Sequence, residues 1–370
     1  MELQFPGCHG EPRLRRRVCG TSLRTEEIGV IGAAVGSRGR DRILSSRESD
    51  LEVAAGVLRQ GGLVAFPTET VYGIGADCFN IAAVERIFRI KGRPANNPLI
   101  VHIDAVERLE ALVPNVPEAA EKLAEAFWPG PLTLVLEKRS EIPDVVTAGY
   151  PTVGVRIPDH PVARTIIEKA DLPVAAPSAN RSGRTSPTTA GAVLEELGSE
   201  VDAVVDGGEC RVGIESTVLG LFDREAVLFR PGGIGIEDIE AILGFPVRIE
   251  DSGRQRESPG TSEAHYAPEA NVIPFEGECP VLRENEAAIC LSSSSHRERK
   301  ERIFIVESVD DLARRLYALF READRRGIRR LFVELPPEKE LGRAVRDRVI
   351  RASRAKRGSC VKRSGAERKR

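Results

Sequence analysis

Apolar residues first recur at helical spacing near Ser49, where Leu51, Ala54, Ala55 and Leu58 share one face before Gly61-Gly62 ends the helix. Leu63-Val64-Ala65-Phe66 then runs apolar without a polar break, which predicts a buried strand. A second helix is predicted from Asn80, a good cap, with Val84, Ile87 and Phe88 inward and Gly92 and Pro94 as its stop. Leu99 to Ile103 reads as another buried strand. Further along, the pattern predicts helices over 105–112, 117–127, 161–170, 188–197 and 236–243. Strands are predicted over 132–137, 152–157, 173–176, 202–206, 217–221 and 226–230. Several strands follow one another with no helix between them, so a mixed sheet is expected.

The pattern changes after Glu250. Asp251 to Pro268 is polar, rich in Gly, Ser and Pro, and has no apolar face, as a linker would be. Strand-like runs at 271–275, 286–291 and 302–306 follow. Next come an amphipathic helix carrying Leu312, Leu316, Leu319 and Phe320, a strand at 330–335 and a helix at 339–352. The expected organisation is an extension outside the fold (1–45, disordered), a mixed, twisted-sheet α/β domain (46–250), a linker or lid (251–270), a small Rossmann-like three-layer α/β domain (271–353) and a basic tail (354–370). That second domain lacks a G-x-G-x-x-G turn, so no dinucleotide site is read into it.

Composition narrows the function. The 370 residues are 41% hydrophobic and 30% charged with a net charge of −2, so overall charge gives no argument for nucleic-acid binding. Basic residues do gather at the termini, at Arg13, Arg15, Arg16 and Arg17 and again from Arg343 to Arg370. Such runs are either solvated tails or RNA-facing segments. No apolar run approaches the ~18 residues that cross a bilayer, and the N-terminus lacks the apolar core of a secretion signal, so a cytoplasmic chain with no membrane partner is expected. Seven scattered cysteines form no C-x-x-C pair, and five histidines show no H-E-x-x-H spacing, so neither a disulfide framework nor a protein-held metal is expected.

There is no G-x-x-x-x-G-K-[ST], no G-x-S-x-G elbow and no kinase set, and Gly73-Ile74-Gly75 is a weak glycine signal. Polar groups instead crowd the ends of apolar elements. Pro67-Thr68-Glu69-Thr70-Val71-Tyr72-Gly73 follows one strand, and Lys91-Gly92-Arg93-Pro94 opens a loop that runs through Asn96-Asn97-Pro98 to His102. Lys91 and Arg93 suit a helix C-terminus on dipole grounds alone. Pro94 and Pro98, however, fix an extended loop that holds Arg93, Asn96 and Asn97 in one relation, and a guanidinium fork matches phosphate oxygens. Glu69 reads as a general base, a salt-bridge partner or a turn cap. Ala176-Pro177-Ser178-Ala179-Asn180, Ile214-Glu215-Ser216-Thr217 and Phe229-Arg230-Pro231-Gly232 repeat the arrangement at other strand ends, where α/β proteins bind ligands.

Taken jointly and in order, these motifs resemble the YrdC/YwlC family of threonylcarbamoyl-AMP synthases over residues 45–353, and the second domain with Ser258-Pro259-Gly260 and His265-Tyr266-Ala267-Pro268 in the linker resembles its two-domain long form. The resemblance implies a YrdC-like fold for the first domain. It also implies a nucleotidyltransferase reaction for tRNA threonylcarbamoyl-adenosine formation: L-threonine, bicarbonate and ATP give threonylcarbamoyl-AMP and pyrophosphate. Carried over by motif, Thr70, His102, Arg156, Ala176 and Ser216 would line the threonine pocket. Arg93, Asn97, Thr152, Ser178, Ser186, Arg230 and Tyr266 would hold ATP. Lys91 and Arg93 would be the catalytic cations, with Mg2+ brought by ATP. Tyr266 in the linker suggests a lid over a hydrolysable intermediate. Thr261-Ser262-Glu263-Ala264 departs from the family there, which usually has Met and basic residues. Partners beyond the substrates would be tRNA or the downstream threonylcarbamoyl-transfer complex. Two rival readings remain open: a double-stranded-RNA or tRNA-binding module without nucleotidyl transfer, and a carbamoyl-transfer module of the hydrogenase-maturation type.

Overall fold

The computed structural model describes residues 43–222, 225–250, 265–291 and 302–355. Most of the expected N-terminal extension, the linker up to residue 264 and the basic tail from 356 lie outside the described residues.

The fold begins at β1 (Ile43–Leu44) and α1 (Glu48–Arg59), which buries the four apolar residues expected of it. β2 (Val64–Phe66) and β3 (Gly73–Asp77) pair antiparallel. α2 (Ile81–Lys91) starts where the Asn80 side chain accepts from the Ala83 amide, and stops at Gly92, whose φ of 60° suits glycine. Then follow β4 (Ile100–His102), a 3-10 turn at Val106–Ala111, α3 (Glu118–Phe127), β5 (Leu132–Glu137) and the short α4 (Asp144–Thr147). The alternation continues through β6 (Thr152–Arg156), α5 (Pro161–Ala170), β7 (Val174–Ala175), α6 (Ala190–Leu197) and β8 (Ala203–Val205). β9 (Thr217–Phe222) and β10 (Glu225–Arg230) pair antiparallel before α7 (Ile236–Leu243) and β11 (Arg248–Ile249).

These strands form one mixed sheet in the order β1-β8-β2-β3-β7-β4-β6-β5-β9-β10-β11. A second sheet is parallel throughout, built from β12 (Asn271–Phe275), β13 (Glu286–Leu291), β14 (Ile303–Val306) and β15 (Arg330–Glu334) in the order β12-β15-β13-β14. Its helices, α8 (Val309–Arg325) and α9 (Glu340–Arg354), both bury their apolar faces on the side presented by Val272, Ala287, Ile289, Leu331 and Val333. The alternate strand residues Ile273, Ala288, Cys290 and Phe332 pack with Leu282 from a connecting segment. The small α/β domain is therefore present, without a second helical layer among the described residues. Val71 and Ile214, which belong to the first sheet's loops, are buried in this second core together with Tyr266.

Three local differences from expectation have physical causes. β3 was read only as a weak glycine motif, because glycine is poor in strands. Here Gly75 lies against the Phe66 ring, and a Cβ would come within 2.6 Å of both Phe66 and Val174, so the glycine marks a close approach. Residues 105–112 wind as a 3-10 turn rather than an α-helix. The edge strands β1 and β11 have two residues each, too few to show a period, and β1 brings Ile43 and Leu44 into the sheet from what was read as the extension. No helix among the described residues is long and apolar enough to cross a membrane.

Candidate functional site

The polar strand ends converge. A cavity partly open to solvent is lined by Thr68, Thr70, Arg93, His102, Arg156, Ala176, Ser178, Ser216, Arg230 and Tyr266, among others.

The Pro67–Tyr72 turn connects two antiparallel strands and buries its own polar groups. The Thr68 hydroxyl accepts from the Thr70 and Val71 amides, lies 2.7 Å from the Thr70 hydroxyl, and donates to the Val71 carbonyl. Glu69 turns the other way: its Oε2 accepts from Arg156 Nη2 at 2.9 Å and from the Asp159 amide at 3.1 Å. Of the open alternatives for Glu69, the geometry is that of a buried ion pair. Arg156 Nη1 donates to the Thr70 hydroxyl at 3.1 Å, while its Nε is buried without a hydrogen-bond partner. Register places His102 beside Arg156, because β4 and β6 run parallel. Burial, and then the Arg156 charge, push the His102 imidazole down to about 3, so it is neutral at ordinary pH, and its Nδ1 is also unpartnered.

Two further cations, Arg93 and Arg230, line the cavity. Arg93 donates through Nε to the Asn97 carbonyl at 2.9 Å and through Nη2 to Asn97 Oδ1 and the Pro98 carbonyl, both at 2.6 Å. Burial lowers Arg93 to about 9, which leaves it charged near neutrality. Arg230, at the end of β10, donates to the Ser216 carbonyl from Nε and Nη2 and to the Ser216 hydroxyl at 3.1 Å. Ser216 in turn lies 2.8 Å from the Thr133 hydroxyl.

Four expected residues stand outside the lining. Lys91 was expected beside phosphates, but its side chain is buried and its ammonium donates to the Ser178 and Asn180 carbonyls, both at 2.5 Å. A buried ammonium requires acceptors, and these two lie closest along the 178–180 loop; burial also pulls its pKa well down. Asn97 serves as the anchor of Arg93. Ser186 is fully buried and donates to Glu215 Oε1 at 2.5 Å. Thr152 opens β6 with its hydroxyl buried and unpartnered.

The cavity also recruits residues that were not assigned to it. Glu215 and His265 both line it. His265 is buried, pushed down to about 3 by burial first, and its Nδ1 is unpartnered. Both stood in quoted motifs, the Ile-Glu-Ser-Thr strand end and His-Tyr-Ala-Pro, so the signal was present. Tyr266, expected on a flexible lid, has a φ of 63° and is 1% exposed with its ring in the second core.

Comparison with known proteins identifies the family. A family profile described as telomere recombination matches residues 56–232, and one described as threonylcarbamoyl-AMP synthase, C-terminal domain, matches 234–354. The chain is 44% identical to the threonylcarbamoyl-AMP synthase of Pyrococcus abyssi, over 85% of this chain and 96% of that one. It is 39% identical to that of Bacillus subtilis, over 84% and 94%. A crystal structure of P. abyssi Sua5 complexed with L-threonine superposes with a TM-score of 0.78 at 41% identity, covering 85% of this chain and 98% of that one. With both domains matched in order and nearly the whole length of these relatives covered, the chain belongs to the two-domain threonylcarbamoyl-AMP synthase family.

Proposed function

We propose that this chain condenses L-threonine, bicarbonate and ATP into L-threonylcarbamoyl-AMP, releasing pyrophosphate, as the activated donor for tRNA threonylcarbamoylation. The observation that carries this reading is one cavity in which three guanidinium groups face threonine and serine hydroxyls and small-residue backbone. Threonine would lie with its carboxylate toward Arg156 and its polar groups among Thr70, His102 and Ser216, while Ala176 leaves room for it. The triphosphate would lie along Arg93, Ser178 and Arg230, with the Tyr266 ring against the nucleotide.

The threonine amine adds to the carbon of bicarbonate and, with loss of water, becomes a carbamate. A carbamate oxygen then attacks the α-phosphorus and pyrophosphate leaves. No side-chain nucleophile is needed. The protein positions two substrates and neutralises charge as it develops. Arg93 suits that task because its fork is fixed by Asn97 and Pro98 rather than by a carboxylate. Lys91 acts at one remove, holding the carbonyls of the loop that presents Ser178. Glu215, the carboxylate in the described lining, already accepts from Arg348, Tyr317 and Ser186. Magnesium therefore fits best as a counter-ion carried by the triphosphate. The product passes to tRNA or to a threonylcarbamoyl-transfer complex.

The test is pyrophosphate release by the purified full chain with ATP, bicarbonate and labelled threonine, in the absence of tRNA. Release that requires threonine and bicarbonate is expected. No turnover without tRNA, together with tight and strongly salt-dependent RNA binding, would overturn the reading in favour of an RNA-binding module.

A further inference from the structure

The second sheet and its helices supply none of the cavity-lining residues, yet two of their side chains reach its wall from behind. Arg348 on α9 is 0% exposed and donates from Nε to Glu215 Oε2 at 2.9 Å. Its Nη1 donates to Asp347 at 2.7 Å, its Nη2 is buried without a hydrogen-bond partner, and its guanidinium carbon stands 5.1 Å from the Tyr266 ring centre. Tyr317 on α8 donates its hydroxyl to the same carboxylate, 3.0 Å from Oε2, and its ring stacks on Tyr266 at 5.8 Å. The two side chains thus hold two cavity-lining residues, Glu215 and Tyr266. Backbone packing fixes this approach. Gly213, two residues before Glu215, has a φ of 80° and sits so close to α8 that a Cβ would fall 2.3 Å from the Arg314 Cα.

Stability alone gives little reason for this arrangement, since apolar residues of equal volume commonly match or exceed a buried ion pair. Electrostatics gives a better one. An uncompensated Glu215 would face the cavity beside Arg230, drawing on the cations and repelling an anionic ligand. Arg348 supplies the opposite charge from outside the cavity. We propose that Arg348, seconded by Tyr317, is a positioning residue for the nucleotide half of the site: it holds and neutralises Glu215 and backs the Tyr266 ring, which makes the second domain part of the ATP site. This rests on the synthase reading above.

The experiment measures melting temperature, kcat, and separate KM values for ATP and threonine in Arg348→Met, Arg348→Lys and Tyr317→Phe. In Arg348→Met the ATP KM should rise roughly tenfold or more, with the threonine KM within about twofold of wild type. Arg348→Lys, which keeps the charge but not the fork, should recover part of that loss. Tyr317→Phe keeps the ring and should raise the ATP KM about threefold. A mere loss of folded protein would lower kcat and leave both KM values alone, and that pattern overturns the proposal, as does an unchanged ATP KM in Arg348→Met. Should Arg348→Met fail to fold, Tyr317→Phe decides by the same criterion. Wild-type protein that makes no threonine-dependent pyrophosphate sinks the synthase reading itself, and that control is read first.

Discussion

Replacing Glu69 by alanine isolates what holds Arg156 in place. The two side chains are 0% and 3% exposed and meet at 2.9 Å, and the same carboxylate oxygen accepts the Asp159 amide. An exposed pair of this kind would contribute about 0–1 kcal/mol. Removing one partner of a buried pair instead strands the other charge, at about 3–5 kcal/mol. Burial decides between the two ranges, so Glu69→Ala should lose about 3–5 kcal/mol in a urea titration. Arg156 keeps only its bond to the Thr70 hydroxyl in that variant, so the threonine KM should rise as well. The double variant Glu69→Leu/Arg156→Met removes both charges; it should regain most of the stability and none of the activity. A loss below about 1 kcal/mol in Glu69→Ala, or a double variant less stable than the single one, would refute the idea that the pair acts as a buried unit.

Arg93→Ala should lower turnover at least ~100-fold with little change in melting, because its bonds are all to its own loop. Lys91→Ala should instead lose stability by about 1–3 kcal/mol in denaturant, because two buried carbonyls lose their donor. Acid should destabilise the fold early. His102 and His265 sit near 3 when folded, while an unfolded histidine binds a proton near ~6.5, so the unfolded state takes up protons first and stability falls as pH drops from about 7 toward 3. About 1–2 kcal/mol per histidine should be gone by pH 5, and urea midpoints that stay flat from pH 7 to 5 would contradict this. Gly232→Ala should cripple activity, measured as pyrophosphate release, because its Cβ would fall 2.1 Å from the Thr217 amide and push aside the Ser216 backbone.

Periodicity exposed what is local. The apolar faces of α1 and α2, the Asn80 cap and the Gly92 stop are all written within a few residues, and each appears where expected. Strand-end polarity likewise pointed to His102, Ser178, Ser216 and Arg230, and the family resemblance to Arg156; all five share the cavity. Roles that depend on distant partners were not legible. Lys91 looks like a cation placed for a helix dipole, and only the fold reveals that its acceptors lie on the 178–180 loop. Arg348 is harder still. It is one of five arginines on α9, with Arg343, Arg346, Arg351 and Arg354; helical spacing puts it on the face of Ala344, Val345 and Ala352, but nothing local names its partner. Its partner Glu215 stands 133 positions earlier.

How the cations are anchored explains how a buried site can keep its charge for a ligand. Arg156 meets a carboxylate, so that its charge is offset and its remaining Nε–H acts as a directed donor. Arg93 and Arg230 rest on backbone carbonyls, which fix the fork without cancelling a full unit of charge. Glu215 would cancel one of them, and Arg348 takes up that carboxylate from behind; with Arg230, it holds the acid down to about 2 against the opposing effect of burial. The cavity wall therefore presents a surplus of positive charge toward whatever enters. That surplus is oriented before binding, which is the condition for electrostatic stabilisation of a phosphoryl group in flight. A site neutralised pair by pair from within would be more comfortable when empty and poorer at gripping a triphosphate.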